Sequence, residues 1–335
     1  MKLSELEKIL PILIQNREPV LLKGAPGGGK TSVCKQVAKA LDYEMVIRHP
    51  VVEESVDSKG LPSFYADENG QPRARFTLTD DWRRLCETTR PTICLIDDLG
   101  QAPNSVQAPY MQWLLERQVN GQRVSDSVSF IAATNRRGDA AGVQGLITPL
   151  LSRFTAVIDV DFNHEDWVKW GLANGVPTPL IGFARFKPDL IGNSFKPTRD
   201  MEPSPTPRGW AAVGRMYGLG LKSHEVWAGA VGEGAATEFK AFVDTYEALP
   251  DPAEVKKNPT TYPLPDRPDV RYAIVTSLGA HTTLSDFGAY MKYIARLDLE
   301  YQTVYLRDVF QRQPKIINDP AWKSWVQTNK NVLSM

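Results

Sequence analysis

Leu3, Leu6, Ile9, Leu10 and Leu13 recur at the spacing of one helix face, which predicts a helix over residues 3–15. Pro19-Val20-Leu21-Leu22 is a short apolar run ending in a glycine cluster and predicts a buried strand. Val33, Val37 and Leu41 return every four residues and predict a helix from Thr31 to Leu41, with a strand after it from Tyr43 to Arg48. Thr92–Ile96 and Val128–Ala133 predict two further strands, separated by a helical stretch that ends Met111-Gln112-Trp113-Leu114-Leu115. Asp67-Glu68-Asn69-Gly70 lies between Phe64-Tyr65 and Arg75-Phe76-Thr77-Leu78 and reads as a hairpin turn; Asn120-Gly121 marks a second. Strands alternating with helices predict an α/β fold, a mostly parallel sheet with helices on both faces.

Past residue 154 the pattern turns helical, with candidates at 164–173, 208–219, 224–248, 269–280, 284–299 and 303–311. In the fifth of these, Leu284, Phe287, Met291 and Ile294 are expected to form one buried face. Leu249 to Pro268 carries six prolines and reads as irregular, a linker or an extended segment laid over the surface. Trp322 and Trp325 read either as packing onto the parent domain or as an anchor for a partner.

Composition narrows the function classes. The chain has 335 residues, 42% hydrophobic and 23% charged, as expected of a globular protein with a real core. Thirty-nine basic residues balance 39 acidic ones. That argues against the basic footprint of a dedicated nucleic-acid binder and against a polybasic membrane patch. No apolar run approaches the ~18 residues that span a bilayer. The first residues lack a signal peptide's apolar block. Cys34, Cys86 and Cys94 show no CxxC spacing, so neither a disulfide framework nor a zinc site is expected, and Cys34 and Cys94 read as small buried hydrophobes. A soluble, cytoplasmic protein is the expectation.

Gly24-Ala25-Pro26-Gly27-Gly28-Gly29-Lys30-Thr31 fits G-x-x-x-x-G-K-[ST], between a predicted strand and a predicted helix. Glycines let backbone N–H groups turn inward around phosphates, Lys30 supplies a mobile positive charge, and the helix start, with Thr31 and Ser32, adds its dipole. This is the chemistry of a nucleotide site for ATP or ADP with Mg²⁺, the Thr31 hydroxyl serving as a metal ligand. Ile93-Cys94-Leu95-Ile96-Asp97-Asp98 supplies the matching carboxylates at a strand end. Asp97 is expected to hold Mg²⁺, and Asp98 to orient or deprotonate the attacking water.

In order, these motifs resemble the AAA+ ATPases, and most closely their MoxR branch. The resemblance implies a P-loop NTPase core followed by an all-helical lid and appendage. The corresponding division is 1–160 for the α/β domain with two hairpin inserts, 161–248 for the lid, 249–268 for a proline-rich linker and 269–335 for a helical extension. Phe130-Ile131-Ala132-Ala133-Thr134-Asn135 looks like the sensor 1 strand, placing Asn135 at the γ-phosphate or the attacking water. Pro149-Leu150-Leu151-Ser152-Arg153-Phe154 looks like the arginine-finger segment, so Arg153 would reach the neighbouring subunit's nucleotide. Ser204-Pro205-Thr206-Pro207-Arg208 resembles the start of a lid helix, with Arg208 as the sensor 2 residue. The hairpins sit where MoxR-like proteins carry their helix 2 insert and pre-sensor 1 hairpin. Arg136 and Arg137 read as a solvated edge, and His49 as a structural histidine.

The resemblance implies an ATP-hydrolysing homo-oligomer, a hexameric ring, that remodels a protein client, in this family often a von Willebrand A domain protein. Most members end the carboxylate strand in Asp-Glu; this chain has Asp97-Asp98. Aspartate is shorter by one methylene, about 1.5 Å. Helicase-loader and initiator branches also carry Asp-Asp, so a nucleic-acid-linked ATPase stands as the alternative, and an ATP-gated scaffold with little turnover as a third.

Overall fold

In the computed structural model, which describes residues 1–139, 145–192 and 202–329, the chain divides into two units, Met1–Asn163 and the helices from His164 onward. The first unit opens with α1 (Leu3–Gln15), β1 (Val20–Gly24), α2 (Lys30–Leu41) and β2 (Glu44–Arg48). Then come α3 (Ser55–Lys59), the hairpin of β3 (Leu61–Ala66) and β4 (Pro72–Thr77), and α4 (Asp80–Glu87). β5 (Thr92–Ile96), α5 (Asn104–Leu115) and the short hairpin of β6 (Gln118–Val119) and β7 (Gln122–Arg123) follow. β8 (Val128–Thr134), α6 (Thr148–Leu151) and β9 (Ala156–Val160) complete it.

Five strands form one sheet in the order β2-β5-β8-β1-β9, and every pairing is parallel. The continuous apolar runs exist because both faces are covered. From β5, Cys94 and Ile96 enter a core with Trp82, Leu85, Tyr110 and Trp113 of α4 and α5. Ile93 and Leu95 enter the opposite core with Leu6, Leu10, Val33 and Val37 of α1 and α2. Parallel strands end at one edge, so the segments after β1, β5 and β8 emerge together there. That edge holds the phosphate loop, the paired aspartates and Asn135.

Both hairpin turns form as the turn residues dictate. Asp67 Oδ1 accepts from the amides of Asn69 (3.0 Å) and Gln71 (2.9 Å), and Asn120 and Gly121 both take positive φ. The β3–β4 ribbon is two-faced. Its cross-strand pairs Pro62–Phe76, Phe64–Ala74 and Ala66–Pro72 put six apolar residues on one side, and Phe64 is 83% exposed. The opposite side carries Ser63, Tyr65, Arg73 and Arg75, with the Arg75 guanidinium over the Tyr65 ring.

The second unit is helical. It comprises α7 (His164–Ala173), α8 (Thr178–Phe186), α9 (Asp189–Gly192), α10 (Pro207–Gly218), α11 (His224–Val231) and α12 (Glu233–Glu247). α13 (Pro252–Lys257), α14 (Pro268–His281), α15 (Phe287–Ile294), α16 (Leu299–Arg312) and α17 (Pro320–Thr328) complete it. α14 packs against α8, α12 and α16.

Several expectations need correction. The chain past residue 154 is not yet helical, because β9 adds an edge strand beside β1. The helix expected over 224–248 breaks at Gly232, whose φ of 85° ends α11 before α12 starts. The helix expected over 284–299 shrinks to α15: Phe287, Met291 and Ile294 are buried, whereas Leu284 is 46% exposed and lies outside it. The proline-rich stretch 249–268 is not wholly irregular. Pro252 takes the first position of α13, where its missing N–H is not needed, and Asp251 caps the helix by accepting from the Ala253 amide at 2.8 Å. Val255 is fully buried in the cluster of α14–α16, so this segment is packed and not a free linker. Trp325 is buried and donates to Gln302 Oε1 at 2.6 Å, while Trp322 stacks on Phe310, which supports packing over a free anchor.

Candidate active site

The loop from Gly24 to Gly29 turns sharply out of β1 into α2. Gly29 caps α2 at a φ of 94°, a left-handed conformation that glycine adopts without strain. At Gly24 the constraint is space: a β-carbon there would sit 2.6 Å from the Val160 carbonyl oxygen on the neighbouring strand. Ala25, Pro26, Gly27 and Gly28 complete the loop, with the Gly28 amide donating to Ala25 O at 3.2 Å. Ser32 is exposed on the first turn of α2.

Lys30 is the first residue of α2, and its side chain folds back under the loop. Its Nζ donates to Gly24 O at 2.8 Å, Ala25 O at 2.9 Å and Asn135 Oδ1 at 2.9 Å, with the residue 7% exposed. Asn135 follows the last residue of β8, so the parallel pairing of β8 with β1 brings it to the lysine. Thr31 donates its hydroxyl to Asp97 Oδ2 at 2.7 Å. Asp97 is 9% exposed at the end of β5, and its amide donates to Arg48 O at 2.8 Å. Four sequence-predicted residues from three segments are thus joined by direct hydrogen bonds.

The remaining predicted residues have other partners. Asp98 makes no bond to Lys30 or Thr31; its backbone is left-handed (φ 57°), and its Oδ1 accepts from Gln101 Nε2 at 2.8 Å. Arg153 follows α6 and donates to Pro149 O at 2.7 Å and Ser152 Oγ at 3.0 Å, within its own segment. Arg208 belongs to the second unit, exposed on the first turn of α10, where Thr206 accepts from the Gly209 amide at 3.0 Å. Arg136 lies at the exposed sheet edge and donates to Asp159 at 2.8 Å and to Asp161 at 2.7 Å.

Two amide side chains absent from the sequence reading complete the region. Gln101 holds Asp98. Gln107 is fully buried, donates to Ala102 O and Gly145 O (both 2.9 Å) and accepts from the Ile147 amide at 3.1 Å. A lone glutamine has no periodicity or motif to announce it, and only the fold shows what it reaches. Cys34 lies beneath the loop on α2, its thiol pushed up to about 12 by burial and then by the Asp97 charge. Burial raises Cys94 to about 12 and Cys86 to about 11.

The five-stranded parallel sheet flanked by helices, with the glycine loop between β1 and α2 and the carboxylates after β5, defines a P-loop NTPase fold of AAA type. Residues 20–162 match the family model described as ATPase family associated with various cellular activities (AAA). No curated protein matches the chain. Among solved structures the chain is similar to the Thermotoga maritima RuvB Holliday junction branch migration motor. There the identity is 17%, over 88% of this chain and 86% of that one, with a TM-score of 0.42. It is also similar to a mutant of Thermotoga maritima RuvB, at 15% identity over 91% of this chain and 88% of that one, with a TM-score of 0.43.

Proposed function

We propose that the chain is an ATP-hydrolysing AAA+ protein of the MoxR kind, assembled as a ring, that remodels or activates a protein partner. The observation that carries the hydrolysis reading is the convergence of Lys30, Thr31, Asp97 and Asn135 at one sheet edge. Lys30 Nζ already sits among three oxygens, the environment that phosphate oxygens would supply. The Thr31 hydroxyl and Asp97 carboxylate are a hard-oxygen pair that fits Mg²⁺, which takes one or two protein ligands plus water and phosphate. Bound there, Mg²⁺ would neutralise charge on the phosphates. Asn135 would orient the γ-phosphate or the water, and Asp98 would act as the base that accepts the water's proton.

In this reading residues 161–248 are the lid and Arg208 its sensor 2 cation. Arg153 serves the next subunit of a hexamer; a planar, permanently charged guanidinium suits charge that develops on a phosphoryl group. Support for a protein client comes from the β3–β4 ribbon, whose apolar side is exposed from Pro62 to Phe76. Exposed contiguous apolar surface is characteristic of sites that bind other proteins. The client is proposed to be a von Willebrand A domain protein.

The test is a turnover assay with Mg-ATP alongside nucleotide-binding measurements. Wild type should hydrolyse ATP, Lys30→Ala should lose binding, and Asp98→Asn should bind while turnover falls by about 10²-fold or more. Wild type that binds ATP without consuming it would overturn the hydrolysis reading. Arg153→Ala should abolish turnover at saturating protein concentration; full activity in that variant would remove the finger acting between subunits.

A further inference from the structure

Asp98 is one methylene shorter than the glutamate its position commonly carries, so its reach is decided by the backbone that presents it. That backbone is left-handed, φ 57° and ψ 31°. A single aspartate tolerates this conformation, which most other side chains seldom adopt. Three hydrogen bonds hold it there. The Asp98 amide donates to Asp97 Oδ1 at 3.2 Å, the Gln101 amide donates to Asp98 O at 3.0 Å, and Gln101 Nε2 donates to Asp98 Oδ1 at 2.8 Å.

The geometry points to Gln101 as the positioning residue of the proposed hydrolytic base. Its side chain fixes one oxygen of Asp98, and Asp98 Oδ2 makes no hydrogen bond among the described residues, which leaves that oxygen for water. A neutral amide is the suitable donor. It orients the carboxylate without the full positive charge of lysine or arginine, which would weaken the carboxylate as a base. The turn is also braced from behind: Gly145 N donates to Gly100 O at 3.1 Å, and buried Gln107 ties Ala102 to Gly145 and Ile147.

This role rests on the hydrolysis reading, and the experiment separates the two. Steady-state ATPase kinetics and ADP affinity are measured on full-length wild type, Gln101→Ala and the isosteric Gln101→Glu, which replaces the donor by an acceptor. Both variants should lower kcat about tenfold or more while KM and ADP affinity stay within about twofold, because a misplaced base affects chemistry and not binding. Thermal unfolding midpoints should stay close to wild type, which separates a positioning defect from misfolding. Gln101→Glu with wild-type kcat, or kcat and ADP affinity falling together, would overturn the positioning role and leave hydrolysis standing. Wild type without turnover overturns the hydrolysis reading and this role with it.

Discussion

Between Gly24 and the Val160 carbonyl there is no room for a methyl group, since a β-carbon would lie at 2.6 Å. Gly24→Ala should therefore push β9 from β1 and destabilise the first unit by about 1–3 kcal/mol, measured by urea unfolding. An unchanged midpoint would show that the two strands separate without resistance. The phosphate loop and the Asp97-Asp98 pair were legible in the sequence because glycine, lysine, hydroxyl and carboxylate each answer one demand of a phosphate or a cation. Asn135 was legible for a related reason, as a polar residue closing an apolar strand. Gln101 and Gln107 were not, since an amide can hydrogen-bond almost anything and its partner is chosen by the fold. The partners of Arg136 were hidden for the same reason: Asp159 and Asp161 lie more than twenty residues away in sequence and meet it only because β9 joins the sheet.

Helices with one buried face announced themselves, as did the strands written as continuous apolar runs; α8 and β9 did not. In α8 every residue from Pro179 to Arg185 is buried, so no polar stripe alternates with an apolar one and the helix has no periodic signature. β9 fails in the opposite way, with Val157 and Asp159 exposed at the sheet edge. The hairpins were readable from their turns, whose positive-φ positions fall on asparagine and glycine. The β3–β4 ribbon yields a prediction at this scale. Phe64→Ser removes a ring that is 83% exposed, so stability should change by no more than about 0.5 kcal/mol while capture of the protein client is lost. A large loss of stability would mean that the ring is covered by its own chain. At α13, Asp251→Ala deletes the cap on Ala253 and should lower stability by about 1 kcal/mol.

For the chain as a whole, neutral net charge is compatible with holding a polyphosphate, because the cations are placed locally and few are needed. The helical unit carries its own charge cluster. His164 and then Arg185 and Arg307 draw the Glu165 carboxyl down to about 2 against the upward push of burial. Arg185 also pairs with fully buried Asp308. A carboxyl whose folded value lies below its ordinary 4.5 stabilises fully above that pH and loses the contribution as pH falls toward 2. Glu165→Gln should therefore flatten the loss of stability between about pH 4.5 and 2, read by tryptophan fluorescence. An identical acid profile would rule Glu165 out as its source. The burial of the thiols has a practical corollary. Cys34, Cys86 and Cys94 all belong to the first unit, while Trp167, Trp170, Trp210, Trp227, Trp322 and Trp325, all but two of the tryptophans, belong to the second. Each unit thus carries its own native reporter. Alkylation of the buried Cys34 and Cys94 clocks the opening of the first unit, and indole emission follows mainly the helical one, so the order in which the two unfold can be timed without adding a label.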